Sequence, residues 1–244
     1  MERKMFLKSG LAALGLGMIA PLACKKDSGG SSSGSTSGGT SGGTTSGSCT
    51  VTSTETAGPY PTITPSSYVR SNIVDGQAGV PLTVKITILN TNNSCSALSG
   101  ALVDIWHCTA VGYYSEYTDG PGGSYATVNY TASHFLRGRQ TTDANGLVTF
   151  TSIFPGWYSG RAPHIHVHVY NSAGTSLLIT QIAFPTDVCD TVYTTASDYS
   201  AHGKQDTANT ADQVFSDSLS NELSTVTGSV SAGYVLTHTI YVAA

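Results

Sequence analysis

The run Pro155-Gly156-Trp157-Tyr158-Ser159-Gly160-Arg161-Ala162-Pro163-His164-Ile165-His166 gathers a phenol, a guanidinium and two imidazoles in one short stretch. Side chains alternate along an extended segment. His164 and His166 therefore share one face, and Ile165 takes the other. Two imidazoles on one face are half of a metal site. The Gly/Pro-rich turn before them can fold the Tyr158 phenol back toward the pair. A phenolate is a hard anionic oxygen, better suited to a trivalent ion than to zinc or copper(I). Alternation also puts His168 on this face, so spacing alone leaves a three-histidine zinc site open. Tyrosine is common in strands and the chain has 13, so residue type alone does not make one a ligand.

A second constellation lies upstream: Val103-Asp104-Ile105-Trp106-His107-Cys108, then Gly112-Tyr113-Tyr114-Ser115. Between the two blocks runs Phe135-Leu136-Arg137-Gly138-Arg139-Gln140-Thr141-Thr142-Asp143-Ala144-Asn145-Gly146. Gly58-Pro59-Tyr60 precedes them, and Thr180-Gln181 follows the histidines. In this order the blocks resemble the intradiol ring-cleavage dioxygenases, the family of protocatechuate and catechol dioxygenases. The resemblance runs from about residue 49 to the C-terminus.

The resemblance implies a mononuclear non-haem Fe(III) held by Tyr114, Tyr158, His164 and His166. Tyr113 competes with Tyr114, but neighbours in an extended segment point to opposite faces. The family's spacing from Trp106 selects Tyr114. The implied substrates are a catechol-type aromatic diol and O2, and the product is a muconic-acid-type dicarboxylate. Tyr158 would leave the iron and take a substrate proton. Arg161 would stabilise negative charge on the substrate. Gln181 matches a polar residue behind the ligands, and Tyr60 is expected to line the ring pocket. Trp106 and Trp157 read as packing. His107, His134, His202 and His238 have no assigned role. Specificity is expected in the segments 60–69, 117–134 and 185–204.

Two other classes remain. One is a zinc-dependent hydrolase using His164, His166 and His168, although no Glu stands at the usual general-base spacing. The other is a non-catalytic β-sandwich that binds a ligand.

The elements that must position these residues are strands. Alternating or β-branched runs at 82–89, 101–106, 147–151, 165–170, 177–184 and 234–242 are separated by Asn-, Asp- and Gly-rich turns. The pattern predicts an all-β fold, an antiparallel β-sandwich with long loops and little helix. A helix is expected over 211–222, where Ala211, Val214, Phe215 and Leu219 approach helical spacing. The family's catechol dioxygenases usually add an N-terminal helical dimerisation segment. A different segment stands there in this chain, which leaves the oligomeric state open.

Residues 1–23 read as an export signal, with a basic start (Arg3, Lys4, Lys8) and an apolar stretch too short to span a bilayer. Pro21-Leu22-Ala23-Cys24 resembles a lipoprotein cleavage site, with Cys24 lipidated. Arg3-Lys4 leaves both general and twin-arginine export open. Residues 25–48 are mostly Gly, Ser and Thr and read as a tether. The domain then spans 49–244, exported to a periplasmic or cell-surface location. Membrane contact is expected only through the anchor.

Charged residues are 11% of the chain and the net charge is −4, with no basic cluster outside the signal. Nucleic-acid binding therefore has no electrostatic footprint. Cys49, Cys95, Cys108 and Cys189 are an even set in an exported domain, which favours two disulfides. The expected pairs are Cys49–Cys95 at the domain's start and Cys108–Cys189 near the pocket.

Overall fold

The computed structural model describes residues 49–118 and 128–244. The expectations for the signal, Cys24 and the tether lie outside these residues, as does the 119–127 part of the expected specificity segment.

Among the described residues nine strands form two sheets. The strands are β1 (Pro81–Asn90), β2 (Ser96–Ala97), β3 (Leu102–Trp106), β4 (Arg137–Thr141), β5 (Leu147–Ile153), β6 (His164–Tyr170), β7 (Ser176–Ala183), β8 (Thr225–Ser229) and β9 (Gly233–Val242). One sheet runs β2-β1-β9-β8, with β5 also paired to β1. The other runs β4-β3-β6-β7. Pairing is antiparallel except between β1 and β9, which lie parallel from Leu82↔Tyr234 to Asn90↔Val242. The sandwich expected from the sequence is the observed fold class, with that one parallel ladder added.

The core lies between the sheets. Leu82, Val84, Ile86 and Ile88 of β1 are buried, as are Val103 and Ile105 of β3 and Ile165, Val167 and Val169 of β6. In β1 the alternate residues Pro81 and Lys85 are exposed, as expected for a strand with one wet face. β6 departs from this, because His164 and His166 on its other face are buried too. Loops therefore cover that end of the sheet, and the candidate site lies beneath them.

Two sequence expectations are corrected here. Residues 211–222 do not form an α-helix. They hold short 3-10 turns at Asn209–Ala211 and Leu219–Asn221. The Asp212 carboxylate accepts from Val214 N two residues on (2.8 Å) as a helix cap would, but the chain continues only in separate turns, closed by Ser216 N to Asp212 O and Leu219 N to Phe215 O, rather than as one ladder. Among the described residues the α-helices are α1 (Thr186–Thr195) and α2 (Ser197–Ser200). The second correction concerns the thiols. Cys49 and Cys95 are bonded, with Cα atoms 6.0 Å apart, but Cys108 and Cys189 are free. Cys108 packs among Trp106, Tyr114 and Tyr158, whereas Cys189 on α1 enters the main core. Each thiol is absorbed by a different apolar cluster.

Candidate metal centre

Strand register builds the floor of the site. Trp106 pairs with Arg137 on one side and His166 on the other, and His166 pairs with Gln181. Cross-strand partners point to the same face. Arg137, Trp106, His166 and Gln181 therefore form one row across the four-stranded sheet, with His164 one step along β6. Trp106 lies flat on His166, with ring centroids 4.8 Å apart and planes within 1°.

Loops bring in the phenols. The loop after β3 carries Tyr114, and the turn before β6 carries Tyr158. They meet at Gly112, whose φ is +89° and where a Cβ would stand 2.5 Å from the Trp157 carbonyl oxygen. Only glycine fits there. A third segment, residues 55–62, crosses over the histidines. Gly58 (φ +68°) rests on the His166 ring, where a Cβ would lie 3.0 Å from Cε1. Tyr60 then stacks on Tyr114 at 4.9 Å and 16°.

Four donor atoms converge. His164 Nε2 lies 3.1 Å from His166 Nε2, 3.4 Å from Tyr114 Oη and 3.4 Å from Tyr158 Oη. Two donors bound side by side to one ion at about 2.1 Å stand about 3.0 Å apart. His164 Nδ1 sits 2.6 Å from the Ala162 carbonyl, which fixes its proton there and leaves the Nε2 lone pair facing the cluster. His166 Nδ1 is buried without a partner.

The electrostatics favour a cation. Burial holds the His164 imidazolium down to about 3, with the Arg161 charge adding to it, and lowers His166 well below the usual range. Both rings are therefore neutral lone-pair donors. Burial pushes Tyr158 up to about 12, opposed by Arg161, and raises Tyr114 well above the ordinary phenol value. Two buried phenols give up their protons near neutral pH only to a strongly charged ion between them. A donor set of two phenol oxygens and two imidazole nitrogens fits a ferric ion.

The zinc alternative needed His168, which points elsewhere. Its Nε2 meets Ser176 Oγ at 2.8 Å and its Nδ1 meets Tyr170 Oη at 2.8 Å. Among the described residues no group of three or more His, Cys, Asp and Glu is arranged to hold a metal. The tyrosines are what complete this donor set. Tyr113 packs edge-on against Tyr130.

Arg161 and Gln181 meet beside the phenols. Arg161 Nη2 donates to Gln181 Oε1 at 2.6 Å, and Gln181 Nε2 donates to the Thr56 carbonyl at 2.9 Å. Two residues not singled out from the sequence complete the surround. Asp212, fully buried, accepts from Arg161 Nε at 2.9 Å. Arg137, also fully buried, donates to Ser115 O, Tyr60 O and Thr62 Oγ1. It ties the Tyr60 segment to the Tyr114 loop. Arg137 stands in the block that carries the resemblance but has no role there, and Asp212 carries no sequence signal, because their partners are distant in the chain. Trp106 packs, as expected, but on a donor imidazole. His107 is bonded to Ser152 Oγ and the Cys108 carbonyl.

A family model described as "Dioxygenase" matches residues 57–217. The chain is similar to an intradiol ring-cleavage dioxygenase from Tetranychus urticae, at 28% identity and a TM-score of 0.70, over 80% of this chain and 95% of that one. It is also similar to the dioxygenase domain of a dioxygenase–carbohydrate-binding protein fusion from Streptomyces sp. SirexAA-E, at 27% and 0.55, over 80% and 99%. Hydroxyquinol 1,2-dioxygenase from Pseudomonas putida DLL-E4, at 16% and 0.55 over 82% and 68%, shares the fold. None of the curated proteins matches the sequence. The donor cluster on its sandwich and the match over 57–217 agree: the chain belongs to the intradiol ring-cleavage dioxygenase family.

Proposed function

We propose that the protein cleaves a catechol-type diol with O2 between the two oxygen-bearing carbons, using a non-haem Fe(III) held by Tyr114, Tyr158, His164 and His166. The observation that carries this reading is the convergence of three donor atoms within 3.4 Å of His164 Nε2. When bound, Fe(III) supplies a Lewis acid that chelates the diol and makes its ring reactive toward O2.

The chain's own residues do the rest. Two tyrosinate oxygens offset ferric charge in a site where bare charge is costly. Tyr158 is the more accessible phenol, at 7% exposure against 2% for Tyr114. It is the oxygen that accepts a substrate proton when the diol binds. Arg161 is held by a carboxylate and an amide, so its cation is already oriented toward charge developing on the substrate. Trp106 and the Gly58 segment enclose His166 and keep water from that ligand. Tyr60 forms a wall for an aromatic ring.

The Cys49–Cys95 bond supports an oxidising compartment, in keeping with export. We place the enzyme outside the cytoplasm, anchored through a lipidated Cys24 and held off the membrane by residues 25–48.

The test is oxygen uptake by iron-loaded protein over a panel of catechols, with product masses. A ferric protein yielding a muconic-type dicarboxylate is expected. A colourless protein carrying one zinc per chain would overturn the reading, and coloured protein that takes up no oxygen would point to a binding role.

A further inference from the structure

The segment 211–222, read from the sequence as a helix, folds instead so that one carboxylate enters the site from behind. Asp212 is fully buried. Its Oδ2 accepts from Arg161 Nε at 2.9 Å and from Ala162 N at 2.6 Å, and its Oδ1 accepts from Val214 N at 2.8 Å. Three residues on from Asp212 stands Phe215, whose ring faces the guanidinium at 5.8 Å and the His164 ring at 6.4 Å. Arg161 is thus held on one edge by a charge and over one face by an aromatic ring. Gln181 takes a second nitrogen at 2.6 Å. A guanidinium has five N–H donors in a rigid fork, so two fixed nitrogens set the direction of the third.

A buried, paired arginine can serve the fold alone. Two features separate this one. Arg161 is on the short turn that joins Tyr158 to His164, and Tyr158 lies within the reach of its charge and hydrogen bonding. Asp212 also pins Ala162, whose carbonyl orients the His164 ring at 2.6 Å. One carboxylate therefore sets both the cation and the backbone beneath a donor imidazole.

We propose that Asp212 is a positioning residue for the reaction: it aims the Arg161 guanidinium, braced on Gln181, at the Tyr158 side of the pocket where substrate charge develops. The inference rests on the function proposed above. It makes Asp212 act through Arg161 and not by contact with substrate.

The test is a double-mutant cycle with a structural readout beside it. Asp212→Asn keeps the size of the side chain but loses the charge and one acceptor. With iron-loaded protein it is expected to lower kcat at least tenfold with KM changed less than threefold, at unaltered iron content. In an Arg161→Lys background the same change is expected to cost less than twofold further, because coupled residues are not additive. In metal-free protein, the Arg161 Nε–H signal in nitrogen-15 NMR is expected to be protected from exchange in the wild type and exposed in Asp212→Asn. Additive losses in kcat, or a protected Arg161 signal in Asp212→Asn, would overturn the proposal. If Asp212→Asn does not fold, Asp212→Ser takes its place, and a freely exchanging Arg161 Nε–H in the wild type is fatal without any substitution. Failure of the parent reading looks different: wild-type protein would then lack ring cleavage while the Arg161 signal still reports whether Asp212 holds it.

Discussion

Trp106 covers one whole face of the His166 ring, at 4.8 Å and nearly parallel. The indole and imidazole come from paired positions on adjacent strands. The orientation of this donor is therefore set by the sheet and not by a loop. His166→Ala is expected to lose iron, and Trp106→Ala to loosen the ring and weaken iron retention by roughly 10–100-fold, the usual cost of a residue supporting a ligand. Chelator competition measures both.

Tyr114→Phe and Tyr158→Phe should each weaken or shift a visible tyrosinate-to-iron band. Tyr113→Phe should leave it nearly intact, because that ring packs toward Tyr130. His168→Ala should retain iron, since its nitrogens serve Ser176 and Tyr170. An empty site in His168→Ala would mean that the histidines have been wrongly chosen.

Cleavage position is a separate outcome. Catechol should shift the visible band, and both atoms of O2 should then enter one dicarboxylate product. Isotope-labelled O2 with mass spectrometry reads this, and a semialdehyde product would mean cleavage outside the diol.

Glu222 supplies a pH dependence that does not involve the four candidate ligands. Its side chain is fully buried against Ser218 at 2.6 Å. Burial, reinforced by Glu55, raises its carboxyl to about 7 despite the Ser218 hydrogen bond. An acid whose folded value is raised stabilises the fold fully below its unfolded value. That contribution is lost as pH climbs through the folded value. The Tm should fall between about pH 5 and 8, and Glu222→Gln should flatten that part of the curve. An unchanged slope in Glu222→Gln would assign the dependence elsewhere.

The cysteines divide into two kinds. Closing the 46-residue separation of Cys49–Cys95 contributes about 4 kcal/mol in the chain-entropy treatment, so Cys95→Ser should lower Tm clearly. Cys108 and Cys189 are buried, and burial pushes the Cys108 thiol up to about 12. Both should resist maleimide in the native protein and react once it is unfolded.

Strands with one wet face were legible because alternation records the boundary between core and solvent. β1, β5 and β9 show this. β4 was not legible: Arg137-Gly-Arg-Gln-Thr has no apolar period and is held by its ladder to β3 and by buried arginine contacts. α1 also escaped notice. Its run of Thr and Val has low helix propensity, and it is held by the burial of Cys189, Val192 and Tyr193. The clustering of Tyr158, His164 and His166 could be read because they lie within one short segment. Asp212 could not, because its partner Arg161 is 51 residues away and a lone Asp in a polar run reads as solvated.

The parallel ladder between β1 and β9 joins the first long strand of the domain to its last. Thr52 N also bonds to the Tyr241 carbonyl, bringing the start of the domain onto the same final strand. During synthesis β1 has no partner on that side until residues 233–242 have emerged. Such long-range pairing slows folding and makes it wait for the complete domain. Because the first long strand waits for the last, the sheet opposite the site closes only once the whole domain is present.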